Sequence, residues 1–293
     1  MQGLIIENIS NLYKVQVGNI LYKTTPRGKL KNTEIQPVVG DNVEITVIDN
    51  ENKKAVIEKV INRKTYIKRP KLANITQILC VISSKNPKPD LLLLDKQLAF
   101  AEFLGIKPVI ILNKIDLDEK NVFKEIEKIY TKIGYQVFET EAKNKKGIEK
   151  LRKVLKNNIN AFSGNSGVGK STLINAIFNK EITQEGEISN KNKKGKNTTT
   201  SIKLYEIDDN TYIADTPGFS TFDISEINSN NLDKYFKEFT DVMKNCEFVG
   251  CTHIKEENCG IKKAIEEGKI DVNRYERFCK IYNELKIGEN RKW

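Results

Sequence analysis

The chain has 293 residues, room for two or three compact units with separate cores. Hydrophobic residues make up 39% and charged residues 30%, which fits a soluble globular protein. The longest apolar runs, residues 75–82 and 109–112, are too short to span a bilayer. No basic segment followed by an apolar run opens the chain, so neither membrane association nor export is expected, and we expect a cytoplasmic protein. Five cysteines, three of them within residues 246–259, do not resemble an extracellular disulfide framework. In a cytosolic chain such a cluster more often binds metal. The excess of 49 Lys and Arg over 39 Asp and Glu gives +10, which suits a polyanionic partner such as RNA. A generally Lys-rich proteome gives the same excess, and charge alone does not separate the two.

The first stretch, to about residue 66, reads as short strands. Residues 12–17, 43–47 and 55–57 alternate or cluster β-forming residues, separated by Gly18, Pro26, Gly28, Gly40 and Asp49-Asn50. About five strands in so short a span predict a small barrel, first of all an OB-fold, although periodicity leaves other small barrels open. Arg63-Lys64 and Lys68-Arg69-Pro70-Lys71 then read as a basic linker. From about Asn74 strands and helices alternate. Strands are predicted at 75–83 and 109–112, at Val137-Phe138, at Ala161-Phe162 and at 212–214. Helices are predicted at 91–104, along the face of Val122, Ile126, Ile129, Tyr130 and Ile133, and at 148–155 and 171–178. This is the rhythm of an α/β fold with a mostly parallel sheet covered on both faces. Residues 190–200, rich in Lys, Asn and Thr, read as a loop. From about Ser225 the chain is polar and helical, interrupted by the cysteine cluster.

Three short motifs lie on this frame. Gly164-Asn165-Ser166-Gly167-Val168-Gly169-Lys170-Ser171, with Thr172 after it, follows a predicted strand and opens an apolar-faced helix. The glycines let backbone N–H groups point at a β-phosphate. Lys170 then reaches the β- and γ-phosphates, and the Ser171 hydroxyl suits Mg²⁺. Asp215 ends a strand where a magnesium-side carboxylate belongs, and Gly218 of Asp215-Thr216-Pro217-Gly218 can bring its N–H to a γ-phosphate. Asn113-Lys114-Ile115-Asp116 ends another strand. The Asp116 carboxylate can accept both donors on guanine's Watson–Crick edge, a pattern adenine lacks. Lys114 would cover the base plane, and Asn113 would tie this loop to the phosphate loop. In Glu141-Ala142-Lys143, the Ala142 N–H suits the guanine carbonyl, with Glu141 in the place of the usual serine. The set predicts GTP and GDP binding, and its order is rotated, because the base-reading motif precedes the phosphate loop.

Cys246, Cys251, His253 and Cys259 offer three thiolates and one imidazole, enough to close a tetrahedral zinc site. A closed set leaves no position for substrate, so one structural zinc is expected. Cys80 and Cys279 read as packing residues. Arg274, Tyr275, Arg277, Phe278 and Tyr282 place cations and aromatics on one helix, for which RNA contact and core packing both remain open.

With these motifs in place, the chain resembles the circularly permuted GTPases that depend on the small ribosomal subunit, the RsgA/YjeQ type. Val39-Gly40-Asp41-x-Val43 and the basic linker also resemble that family. The resemblance implies an OB-fold over residues 1–66, a permuted P-loop GTPase domain over 67–224 and a helical zinc-binding domain over 225–293. It implies a monomer that hydrolyses GTP slowly alone and faster on the small subunit, binds that subunit and its rRNA, and acts late in its assembly. Two positions bear on catalysis, the first a departure from the family and the second a departure from GTPases at large. The first switch, usually G-R-H-T-T-T, reads Gly195-Lys196-Asn197-Thr198-Thr199-Thr200, with Asn197 in place of the histidine and one of the three threonines, Thr199 or a neighbour, expected to contact magnesium and the γ-phosphate. Phe219 follows Gly218 where many GTPases carry a water-orienting glutamine, in agreement with the family.

Overall fold

The computed structural model describes residues 1–28, 35–179, 202–215 and 223–291. These residues form two compact units. The first comprises Met1–Leu79, Ile148–Phe162 and Ser171–Phe219, and the second Cys80–Gly147, Ser163–Lys170 and Ser220–Trp293.

The first unit opens with β1 (Gln2–Ile9), β2 (Leu12–Val17), β3 (Ile20–Pro26), β4 (Asn42–Asp49) and β5 (Lys54–Val60). Their order is β1-β2-β3-β5-β4, and β1 also pairs with β4, which closes a five-stranded barrel. Alternation drives the closure: Ile5, Tyr13, Val15, Tyr22, Val43, Ile45, Ala55 and Ile57 all turn inward and are buried. The OB-fold expectation therefore holds. The segment expected as a linker is instead ordered. It forms a hairpin of β6 (Tyr66–Lys68) and β7 (Lys71–Ala73), and its first arginine is fixed inside the unit. Arg63 donates from Nε to Asp41 Oδ1 at 2.7 Å and from a terminal nitrogen to Asp41 Oδ2 at 2.8 Å, while its guanidinium lies 4.5 Å over the Tyr66 ring. Asp41 is fully buried and also accepts from the Val38 N–H at 2.8 Å. Gly40 precedes it at φ +89°, where a Cβ would sit 2.0 Å from the Ala73 carbonyl oxygen. That is why glycine is required there.

The same unit contains α3 (Ile148–Leu155), most of β11 (Ile159–Ser163), most of α4 (Lys170–Phe178), β12 (Lys203–Asp208) and β13 (Thr211–Asp215). Strands β11 and β13 run parallel, as predicted, and β12 is antiparallel to β13. Strand β12 was not expected, because Leu204 is its one buried residue and the rest reads as polar.

The second unit takes most of β8 (Gln77–Ser83), buried along its whole length, with α1 (Leu91–Leu104), β9 (Lys107–Asn113), α2 (Val122–Ile133) and β10 (Gln136–Thr140). Strands β9 and β10 are parallel. Helix α1 is capped by Asp90, which accepts the Leu93 N–H at 2.9 Å, and it stops at Gly105 in the left-handed region. Beyond Ser225 come short 3-10 turns, α5 (Gly260–Glu266) and α6 (Val272–Asn290). They enclose an aromatic core of Phe236, Phe239 and Phe278, with ring centroids 4.9–5.3 Å apart. The two arginines of α6 are packed inside the protein. Arg274 is buried and pairs with Asp95 and Glu238, and Arg277 pairs with the other oxygen of Asp95. Among the described residues no helix is long and apolar enough to cross a membrane.

The Asp41–Arg63 pair gives a direct test. Asp41→Ala strands a half-enclosed guanidinium and an unpaired Val38 N–H, and is expected to destabilise the protein by about 3 kcal/mol, the range for breaking one side of a buried pair. Urea unfolding of the full chain measures it, and an unchanged midpoint would mean the pair contributes nothing.

Candidate functional site

The chain leaves β11 at Ser163 and turns through residues 164–169 before α4 begins at Lys170. Two glycines are sterically required in this loop. At Gly164 (φ +142°) a Cβ would lie 2.2 Å from the Val81 carbonyl oxygen, and at Gly169 (φ +97°) 2.4 Å from Asn113 Nδ2. Val168 is buried beneath the loop, while Ser166 and Gly167 are exposed at its crest. Lys170 arches back across the turn, its Nζ donating to the Gly164 carbonyl at 2.7 Å and the Asn165 carbonyl at 2.9 Å. The ammonium is thus held at the concave side of a backbone loop, an arrangement suited to a polyphosphate.

Strand β9 delivers Asn113 against this loop. Its side chain is buried, and each end of the amide is used. Nδ2 donates to the Val168 carbonyl at 2.9 Å, and Oδ1 accepts from Thr140 Oγ1 at 3.0 Å and the Ala142 N–H at 3.3 Å. One carboxamide therefore ties together the phosphate-loop motif, the Asn113–Asp116 motif and the Glu141–Lys143 turn. Lys114 follows at φ +65° and donates to the carbonyls of Gly167 and Asn86, each at 2.6 Å. Burial lowers the Lys114 pKa, and Lys143 nearby lowers it further. Asp116 sits in the 3-10 turn Ile115–Leu117 and is exposed, so its carboxylate is open to a ligand edge. Glu141 is engaged by the Asn144 side chain.

Three contacts were missed in the sequence. Thr140 stands directly opposite Asn113 in the β9–β10 register, which makes it the natural partner for the amide oxygen. Asn165 Nδ2 donates to the Asp90 carboxylate at 3.1 Å, and Gln97 Nε2 to Ser163 Oγ at 2.8 Å. Only the register could have indicated the first; nothing local in the sequence marks the other two.

In the first compact unit, Ser171 and Thr172 occupy the first turn of α4, and Asp215 is the last residue of β13. Burial raises the Asp215 pKa, opposed by Lys203. Thr199 and Gly218, together with Asn197, Phe219 and the loop at 190–200, lie outside the described residues.

The second candidate centre is the thiol–imidazole cluster. The Sγ atoms of Cys246, Cys251 and Cys259 and a nitrogen of His253 all lie within 4.8 Å of one another. His253 Nδ1 is 3.5 Å from Cys246 Sγ and 3.3 Å from Cys259 Sγ, and the two sulfurs are 4.0 Å apart. Tetrahedral zinc with bonds of about 2.0–2.3 Å separates its ligand atoms by about 3.5–3.8 Å, so the donor set fits. Nε2 of the same imidazole faces Asp233 Oδ2 at 3.4 Å, the carboxylate that orients a metal-binding histidine elsewhere. The Gly260 N–H points at Cys246 Sγ at 3.3 Å, and Tyr275 donates to the His253 carbonyl at 2.6 Å. Cys80 is buried in β8, and burial pushes its thiol pKa up, consistent with a packing role.

The comparisons agree with this geometry. The RsgA GTPase family matches residues 60–225, and the RsgA N-terminal domain matches residues 2–57. A protein of Clostridium botulinum (strain Loch Maree / Type A3), named small ribosomal subunit biogenesis GTPase RsgA, is 39% identical over the full length of both chains. The protein of that name from Alkaliphilus metalliredigens is also 39% identical, covering 100% of this chain and 99% of its own. Among solved structures, YjeQ from Thermotoga maritima superposes with a TM-score of 0.83 at 37% identity, covering 97% of this chain and 98% of its own. YloQ, described as a circularly permuted GTPase, gives 0.81 at 26% identity, over 97% and 94%. On this fold, this rotated motif order and these relatives, the chain belongs to the RsgA GTPase family.

Proposed function

We propose that the protein is a cytoplasmic, monomeric GTPase that binds the small ribosomal subunit and its rRNA and acts late in assembly of that subunit. The observation that carries this reading is the Asn113 amide, which locks a guanine-reading motif onto a phosphate loop in permuted order. The name its relatives carry, small ribosomal subunit biogenesis GTPase, points to the small subunit as partner. In chain order we assign a barrel (1–66), a GTPase segment (67–224) and a zinc-binding segment (225–293).

Within the GTPase segment, Asp116 pairs with the guanine edge and Lys114 covers the base; the Ala142 N–H, which donates to Asn113 Oδ1 at 3.3 Å, would have to leave or share that long bond to meet the guanine carbonyl. The backbone N–H groups of residues 164–169, with Thr172, surround the phosphates, and Lys170 carries the cation to the β- and γ-oxygens. Ser171, Thr199 and Asp215 would hold magnesium, which when bound neutralises charge on those oxygens. By its place in the Asp215–Gly218 motif, the Gly218 N–H would serve the γ-phosphate. Phe219 lacks the carboxamide of the usual glutamine and Asn197 lacks the imidazole of the family's usual histidine, which supports slow turnover without a partner. Cys246, Cys251, His253 and Cys259 would hold one structural zinc, with Asp233 fixing the imidazole.

Three outcomes are expected. Asp116→Asn replaces one acceptor oxygen with a donor and should shift preference from guanine to xanthine nucleotides by orders of magnitude; unchanged GDP affinity would remove Asp116 from the base site. Elemental analysis should find about one zinc per chain, as a single closed four-ligand set requires. Cys259→Ser should lower that content, and a zinc-free protein with α5 and α6 intact would count against the assignment.

The third outcome concerns the ribosome. Because Asp215 leads through residues 216–222 directly into the zinc segment, loss of the γ-phosphate should shift that segment. The GTP-analogue form should hold small subunits more tightly than the GDP form by about 1–3 kcal/mol, the usual scale of coupling between sites. Turnover should rise with small subunits and not with large ones. Equal affinity of the two forms at two salt concentrations would leave only charge-driven RNA binding.

A further inference from the structure

Helix α1 touches the phosphate-loop segment at two points and α6 at a third, all within the second compact unit. At its N-terminus Asp90 divides its carboxylate: Oδ1 caps the helix through the Leu93 N–H at 2.9 Å, and Oδ2 accepts from Asn165 Nδ2 at 3.1 Å. Two turns along, Gln97 donates to Ser163 Oγ at 2.8 Å, immediately before the loop. Between these contacts stands Asp95, fully buried, which takes Arg274 and the Tyr130 hydroxyl on one oxygen and Arg277 on the other. Glu238 completes the set on Arg274, giving two carboxylates against two guanidinium groups. Residue 90 to residue 97 spans only about 10 Å of helix, too short to bend appreciably. A displacement of α6 must therefore be transmitted to both loop contacts or break a buried ion network, and breaking one side of such a network costs several kcal/mol.

We propose that Asp90 is a positioning residue for the phosphate loop and that the Asp95–Arg274–Arg277 cluster fixes where Asp90 stands, so that α6 tunes nucleotide affinity through α1. This rests on the reading of residues 164–171 as the nucleotide's phosphate loop. The path is separate from residues 216–222, which connect β13 to the zinc segment along the chain. It acts on the loop contacting the β-phosphate, and so bears on GDP as well as GTP.

The test uses the full-length, zinc-loaded protein and equilibrium binding of a fluorescent GDP analogue. Asp90→Ser keeps a helix cap but is too short to reach Asn165. Asp90→Asn keeps both, because the Asn165 amide can turn to offer its oxygen. Arg277→Met removes the α6 cation while keeping an apolar stem, and Arg277→Lys keeps the charge without the planar fork. Asp90→Ser and Arg277→Met should each weaken GDP binding by about fivefold or more, the low end of site-to-site coupling. The double variant should be no weaker than the worse single one, and Asp90→Asn should stay within about twofold of wild type. By reciprocity, saturating GDP should slow amide exchange along α6 in the wild type and lose that effect in Asp90→Ser. The proposal is overturned if Arg277→Met, with normal zinc content and helicity, binds GDP like the wild type, or if the two single effects multiply. Should Arg277→Met not fold, Arg277→Lys and the exchange measurement decide in the same way. Failure of the wild type to bind GDP would sink the nucleotide reading itself, and is distinguished by that control.

Discussion

The side chain of Asn113 is the constraint on which the candidate nucleotide site depends. It is buried at the end of β9, where an unpaired amide would cost free energy on the scale of a lost hydrogen bond or more. It avoids that cost by binding three separate segments, at Val168, Thr140 and Ala142. Asparagine is the residue that can do so, since it carries both donors and an acceptor on one short planar group. Aspartate would face the Val168 carbonyl with a second acceptor, and leucine would leave all three partners unsatisfied. The same amide dictates its neighbour. Gly169 has no side chain because Asn113 Nδ2 occupies the place where a Cβ would be.

The rotated order of motifs decides what is covalently joined to what. The segment Ser163–Lys170 belongs to the same compact unit as Asn113 and the thiol–imidazole cluster, while Ser171–Phe219 belongs with the barrel. The boundary falls between Lys170 and Ser171, in the first turn of α4. The loop proposed to bind phosphates is thus grouped with the Asn113–Asp116 motif and the C-terminal helices. The hydroxyl and carboxylate suited to magnesium, Ser171 and Asp215, are grouped with β11, β13 and the barrel.

The elements with strong periodicity were legible residue by residue. Helix α1 occupies Leu91–Leu104 and α2 occupies Val122–Ile133, as the apolar spacing and the following Gly105 and Gly134 dictate. The metal-type cluster was legible because ligand chemistry is local: four residues within fourteen positions fold onto one point with little help from the rest. Pairings between distant charges were not legible. Arg63, read as part of a linker, is held by Asp41, and Arg274, read as either RNA-facing or packed, is held by Asp95 some 180 positions away. A buried ion pair and a solvated charge look alike in a sequence, because burial is a property of the partner and the surroundings. Strand β12 escaped for a related reason, since one inward residue produces no alternation.

The C-terminal segment shows how a short polar stretch acquires a defined structure. Its aromatic core is small, three phenylalanines in mutual contact, and Phe239 and Phe278 also flank the His253 ring at centroid distances of 6.1 and 6.3 Å. The imidazole therefore belongs to both the apolar core and the thiol cluster. Its orientation is fixed from every side: sulfurs at Nδ1, Asp233 at Nε2, phenylalanine rings on its faces and edges, and Tyr275 on its backbone carbonyl. A metal at this point would link the 3-10 turns to α5 through Cys246 and Cys259, closing loops that the core alone constrains weakly. Helix α6 would gain order at the same time, because one of its turns supplies Tyr275 and Phe278 to the histidine and Arg274 and Arg277 to Asp95. That single turn joins the cluster's packing to the buried charge of α1, which makes the segment an integral part of the unit containing the phosphate loop.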